Sequence, residues 1–147
     1  MFSEEIMTCL EQKELLLTQI LNLTKQIEVR CSEPEISLEH FLDQRGSLMQ
    51  RVDKCNNLIE GQVAQMLPEQ QNRANLILNL KIDEADCSEQ ERAAFELAKK
   101  CSSLLQRAAD LDKSANDLIK QQYEDVKKKI KQTRKPVKGQ SMFLNPR

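Results

Sequence analysis

Apolar side chains recur at intervals of three and four residues along most of the chain. In the first segment Ile6, Leu10, Leu17, Ile20 and Ile27 keep that spacing, Leu16 and Leu23 widen the face, and Lys13 and Thr24 interrupt it. This period is that of an amphipathic α-helix. Ser3, followed by Glu4 and Glu5, predicts the helix start, because a hydroxyl accepts from the free first-turn amides and acids favour the positive end of the dipole. The run breaks near Cys31. Ser32 and Glu35 there have capping-box spacing around Pro34, so a second helix is expected to begin at that point or at Ser37.

The second stripe passes through Leu38, Phe41, Leu42, Leu48, Met49, Val52, Cys55, Ile59, Val63 and Met66 and ends before Pro68. At about 1.5 Å per residue it makes a rod of roughly 45 Å, which needs neighbours of similar length to cover it. Gly46 lies inside the rod and reads as a tolerated defect, costing about 1 kcal/mol relative to Ala, rather than as a close helix approach. From Pro68 to Cys87 the pattern weakens. A short helix from Pro68 is expected to bury Leu76, Ile77, Leu80 and Ile82, and the acidic run before Ser88 reads as a connection. Ser88 and Glu91 repeat the capping-box spacing and open a last long helix, whose stripe is Ala94, Leu97, Cys101, Leu104, Ala108, Leu111, Ala115, Leu118 and Gln122, then Val126 and Ile130. The expected fold is all-α, an elongated antiparallel bundle of three long helices with a short extra helical segment over residues 1–135. A flexible basic and apolar tail is expected over 136–147. Closure as a homodimer remains open.

Composition agrees with helices. Three glycines, four prolines, no tryptophan and five aromatic residues accompany many Leu, Gln, Glu, Lys and Ala, and 39% of residues are hydrophobic. The amino-terminal segment lacks a basic start and an unbroken apolar run, and about 18 successive apolar residues occur nowhere, so a soluble, cytoplasmic protein is expected. Five widely spaced cysteines and one histidine, His40, give neither a disulfide framework nor a zinc motif. Cys31, Cys55 and Cys101 read as small apolar fillers in a reducing compartment.

Charge is strongly polarised. Residues 1–119 hold 13 basic and 21 acidic side chains, whereas residues 120–147 hold 9 basic and 2 acidic ones. The lysine-rich end reads first as a solvated helix terminus favoured by the dipole, then as a contact for acidic protein surface; without interleaved aromatics, no nucleic-acid partner is expected. Membrane insertion is not expected either. His40 has no positioned nucleophile, the carboxylates are scattered over solvent faces, and no phosphate-binding loop is present, so neither an enzyme nor a cofactor is expected.

"LEHFLDQRGSLMQRVDKCNNLI", residues 38–59, resembles the second-helix pattern of the FlgN/FliT-type flagellar type III export chaperones, in which a basic residue precedes a small one and then aliphatics. Here these are Arg45, Gly46, Ser47, Leu48 and Met49. "SANDLIKQQYEDVKKKIKQ", where Asn116 and Asp117 precede the terminal segment, and the ending "SMFLNPR" are similar to other parts of that family. The resemblance implies a cytoplasmic chaperone that holds an amphipathic helix of a late export substrate, such as a hook-filament junction or filament-cap protein, and delivers it to the export apparatus. Helix-in-groove binding would be the mechanism. The partner face is expected at Leu118, Ile119, Gln122, Tyr123, Val126 and Ile130, where the other helices are shorter, with Phe143 of the tail as a further contact; Leu48, Val52 and Leu104 are expected in the core. The competing expectation is a structural coiled-coil or scaffold homodimer whose stripes are all satisfied.

Overall fold

The computed structural model describes residues 1–31 and 38–134, without the side chains of 118, 119, 122, 123, 126 and 129–134. Among the described residues the chain is helical and holds no strand: α1 (Glu4–Arg30), α2 (Glu39–Ala64), α3 (Pro68–Leu78), a 3-10 turn (Glu84–Asp86) and α4 (Glu89–Arg134). Serine caps two of the helices as their spacing predicts. The Ile6 amide donates to Ser3 Oγ at 3.2 Å. At the start of α4 the capping box is reciprocal, with Glu91 N donating to Ser88 Oγ at 3.2 Å and Ser88 N donating to Glu91 Oε1 at 2.9 Å.

The second helix ends before Pro68, as expected. Leu38 stands at its start without a side-chain cap, and Gln65 ends it before Met66. The expected cap at Ser32 and Glu35 lies outside the described residues, as does the tail 136–147. Gln71 supplies a cap from the next helix, since its Nε2 donates to the carbonyls of Ala64 at 2.9 Å and Met66 at 3.0 Å.

Three apolar clusters set the helix directions. Ile6 and Leu10 pack with Ile59, Val63 and Ala94; Leu17 and Ile20 with Val52, Cys55 and Cys101; Ile27 and Cys31 with Phe41 and Ala115. Ascending α1 therefore meets descending α2 and ascending α4, so α2 is antiparallel to both. Bulky Leu16, Leu17, Ile20 and Leu21 of α1 share the middle cluster with small Cys101 and Ala108 of α4, so large side chains pack against small ones across that seam. Leu48 and Leu104 pack at the edge of the middle cluster, and Val52 lies within it. A Cβ built on Gly46 would meet nothing within 4 Å, which makes that glycine a tolerated defect.

Several stripe residues are not covered. Leu42 and Met49 of α2 and Leu76 of α3 are exposed, contrary to expectation, whereas Ile77 is fully buried and Leu80 and Ile82 pack against the first cluster. The physical reason is where the contacts fall: α2 packs chiefly on α1 and α3 makes only small contacts with α2 and α4, so a stripe wider than the contact line leaves its margin in water.

Polar contacts pin the bundle at two levels. Thr24 of α1 is buried; its hydroxyl donates to the Ile20 carbonyl at 2.8 Å and accepts from Arg45 Nη1 of α2 at 3.4 Å. The same Nη1 donates to Asp112 Oδ1 of α4 at 2.9 Å, so one guanidinium touches all three long elements. At the other end Arg73 of α3 grips Glu91 of α4 through two bonds, of 3.0 and 2.9 Å, and donates to the Asp86 carbonyl at 2.7 Å. Bonding to Arg73, then to the Ser88 amide, lowers the Glu91 pKa to about 2 from an ordinary 4.5.

Leu17→Ala is expected to lower the unfolding free energy by about 2–5 kcal/mol. Leu15→Ala, at a position 60% exposed, is expected to change it by less than about 0.5 kcal/mol; urea denaturation of the two variants checks the assigned face. Glu91 titrates lower in the folded chain than unfolded, so its contribution is complete above the ordinary carboxylate range and is lost as pH falls from about 4.5 to about 2. Accordingly the stability gap between wild type and Glu91→Gln, measured by denaturation, should be full at pH 7, narrow below pH 4.5 and close near pH 2.

Candidate functional site

Helix length dictates where a partner surface arises. With 46 residues in α4 against 27 in α1 and 26 in α2, α4 exceeds either neighbour by about 28 Å at 1.5 Å per residue. Ala115 is the last α4 residue in a core cluster among the described residues. The expected partner positions 118, 119, 122, 123, 126 and 130 all lie on α4 beyond it, and at about 100° per residue they fall within about 140° of arc. Their side chains, and Phe143 altogether, lie outside the described residues. Described neighbours on the same stretch, Lys120, Gln121, Glu124, Asp125 and Lys128, are exposed.

A second concave surface lies near the opposite end of the bundle. Both α2 and α4 follow α1 along its length, but their backbones hardly approach each other. On α4 the wall is mostly small, Ala98, Cys101 and Ser102, and an open cleft of about 570 Å³ remains between it and Asn56, Ile59 and Glu60 of α2. Leu10 and Lys13 of α1 form its floor, and Leu78, Asn79 and Leu80 close one end.

That closing corner has a specific backbone. Leu80 adopts φ 57°, in the left-handed region. Its amide donates to the Ile77 carbonyl at 3.1 Å and the Lys81 amide to the Leu76 carbonyl at 2.8 Å, the two bonds of a Schellman ending. Glycine is the usual occupant of such a position, since a Cβ there costs roughly 1–2 kcal/mol. Leu80 instead packs its side chain on the first cluster and lines the cleft, which offsets the strain.

The thiols are chemically quiet. Burial raises the pKa of Cys31, Cys55, Cys87 and Cys101 above the ordinary thiol value, and for Cys55 and Cys101 the charge of Lys13 opposes part of that rise. All five cysteines are free. Among the described residues, no group of three or more His, Cys, Asp or Glu side chains could hold a metal ion, and no helix is long and apolar enough to cross a membrane. His40 is exposed, with its ring edge-on to Phe41 at 5.8 Å.

Sequence reasoning missed the cleft, the Arg45 clamp and the Arg73–Glu91 pair. One signal for the cleft was present: Lys13 breaks an otherwise apolar stripe at a position facing two neighbours. No family model, curated protein or solved structure matches the chain.

Alkylation with iodoacetamide at pH 8 is expected to modify half-buried Cys9 first and to reach the four buried thiols only on unfolding. Mass spectrometry of the native and urea-treated chain measures the order.

Proposed function

We propose that the protein is a non-enzymatic helix-binding chaperone: an elongated bundle of three long helices whose projecting α4 captures an amphipathic helix of another protein. In the form implied by the resemblance to FlgN/FliT-type chaperones, the client is a late flagellar export substrate, and the complex is presented in the cytoplasm to the type III export apparatus. The observation that carries this reading is the excess length of α4, about 28 Å of helix that neither α1 nor α2 is long enough to flank.

The mechanism needs no bond chemistry. An apolar stripe in water is costly, and docking a client's matching stripe removes both from solvent at about 25 cal/mol per Å² of apolar surface. Leu118, Ile119, Val126 and Ile130 supply that surface, Gln122 and Tyr123 give polar edges, and Phe143 adds an anchor from the tail. A client helix held in this way cannot assemble with its own partners until it is released. The basic residues after Lys120 favour a client with an acidic outer face.

Val126→Ala combined with Ile130→Ala tests the assignment. Capture of the carboxyl-terminal helix of a hook-filament junction or filament-cap protein, followed by calorimetry, is expected to weaken at least about tenfold. On this reading, which keeps these positions out of the core, the melting temperature should move by less than about 2 °C. A large drop in melting temperature with capture retained would place them in the core and favour the scaffold homodimer instead.

A further inference from the structure

The chain repeats itself, once from Cys31 into α2 and again from Cys87 into α4. Cys31, Ser32, Glu33 and Glu35 recur as Cys87, Ser88, Glu89 and Glu91, and Ser47, Leu48, Gln50 and Arg51 recur at the same offset as Ser103, Leu104, Gln106 and Arg107. "NNLIEGQ", residues 56–62, then returns as "NDLIKQQ", residues 116–122, with four residues added between the two blocks. Four residues make about one helical turn, so the repeated face is kept. Burial follows the repeat. Val52 and Ala108 are both buried in the middle cluster, Leu48 and Leu104 both pack at its edge, and Met49 and Leu105 are both exposed.

Beyond that level the two units differ in what covers them. In α2 the repeat continues into a covered face, where Ile59 and Val63 share the first cluster with Ile6 and Leu10 of α1 and Gln62 Nε2 donates to Glu5 Oε2 at 2.6 Å. What these three residues hold is a glutamate followed at once by an aliphatic residue, with a second aliphatic four positions later. In α4 the same positions are Ile119, Gln122 and Tyr123. They lie past Ala115, the last α4 residue in a core cluster among the described residues. Charge points to the same kind of occupant. The first turns of α1 carry Glu4, Glu5, Glu11 and Glu14 against Lys13 alone, whereas residues 120–147 hold 9 basic and 2 acidic side chains, and Lys120 stands where the first unit has Glu60.

We propose, on the helix-capture reading above, that the projecting face of α4 selects a partner helix patterned like the start of α1: a carboxylate directly before one aliphatic residue, and a second aliphatic four positions on. The helix docks antiparallel to α4, as α1 does to α2. Gln122 donates to its carboxylate as Gln62 donates to Glu5, and Ile119 and Tyr123 cover its two aliphatics as Ile59 and Val63 cover Ile6 and Leu10.

A labelled synthetic peptide of residues 1–16 of this chain, titrated into the full-length protein by fluorescence anisotropy, tests the motif. Saturable binding is expected, weakened about tenfold by Ile6→Asp in the peptide and about threefold by Glu5→Lys. In the protein, Gln122→Glu should disfavour the unaltered peptide and favour the Glu5→Lys peptide. Ile119→Asp should abolish binding of both, with the helical circular dichroism signal unchanged. Binding that neither protein variant alters means that the peptide has exchanged with α1 inside the bundle, and it overturns the proposal. Capture of a hook-filament junction or filament-cap helix without binding of the α1 peptide overturns the motif and leaves helix capture standing; capture of neither removes both.

Discussion

Helix α1 is the one element against which both other long helices are buried, and every other feature follows from that arrangement. Its Leu16, Leu17, Ile20 and Leu21 are almost wholly removed from water. Full burial of such side chains contributes on the order of 1.5–3 kcal/mol each, more than any exposed ion pair of the bundle. The helix can serve two neighbours because its apolar face is wide, and because α4 presents alanine and cysteine where α1 presents leucine and isoleucine. A hub of this kind has a geometric consequence. Two helices gripping opposite flanks of a third need not touch each other, and the space between them stays open where their facing residues are small.

Polar contacts determine register rather than supply most of the stability. Arg45 bridges a buried hydroxyl on α1 and a carboxylate on α4, and sliding either helix by one turn, about 5.4 Å, would break its bond to Arg45. The Arg73–Glu91 pair acts at the other end, where a short helix, a 3-10 turn and the start of α4 converge. Glu91 serves there as capping-box acceptor and as ion-pair partner together, which explains why its carboxyl is so strongly acidic. Between these two levels the described residues that are buried are apolar. The bundle thus pins its ends and leaves its middle to packing.

The proposed function rests on unequal lengths in the same way. A helix longer than its neighbours must end in water or in another molecule. The projection at one end and the open cleft at the other arise from opposite features of one fold, a helix longer than its neighbours and two helices that pack on a third but hardly on each other.

Much of this was legible in the residue order, because it depends on neighbours within four positions. Ser3 and Ser88 mark helix starts through hydroxyls that reach amides three residues on, and the stripes of α1 and α4 mark buried faces through the helical period. Gly46, too, reads correctly from propensity alone. Arg45 and Asp112 are 67 positions apart, however, and nothing local pairs them. Leu42, Met49 and Leu76 satisfy the same periodicity as their buried counterparts, yet remain exposed because burial depends on which side of a stripe another element covers. The amino-acid sequence by itself determined that the chain is helical, where its caps lie and which faces are apolar, since those are consequences of local hydrogen bonding and a fixed rise per residue. Only the tertiary structure decided which helix became the hub, which polar groups met, and where a cleft was left, because those outcomes depend on how rods of different length and girth pack in three dimensions.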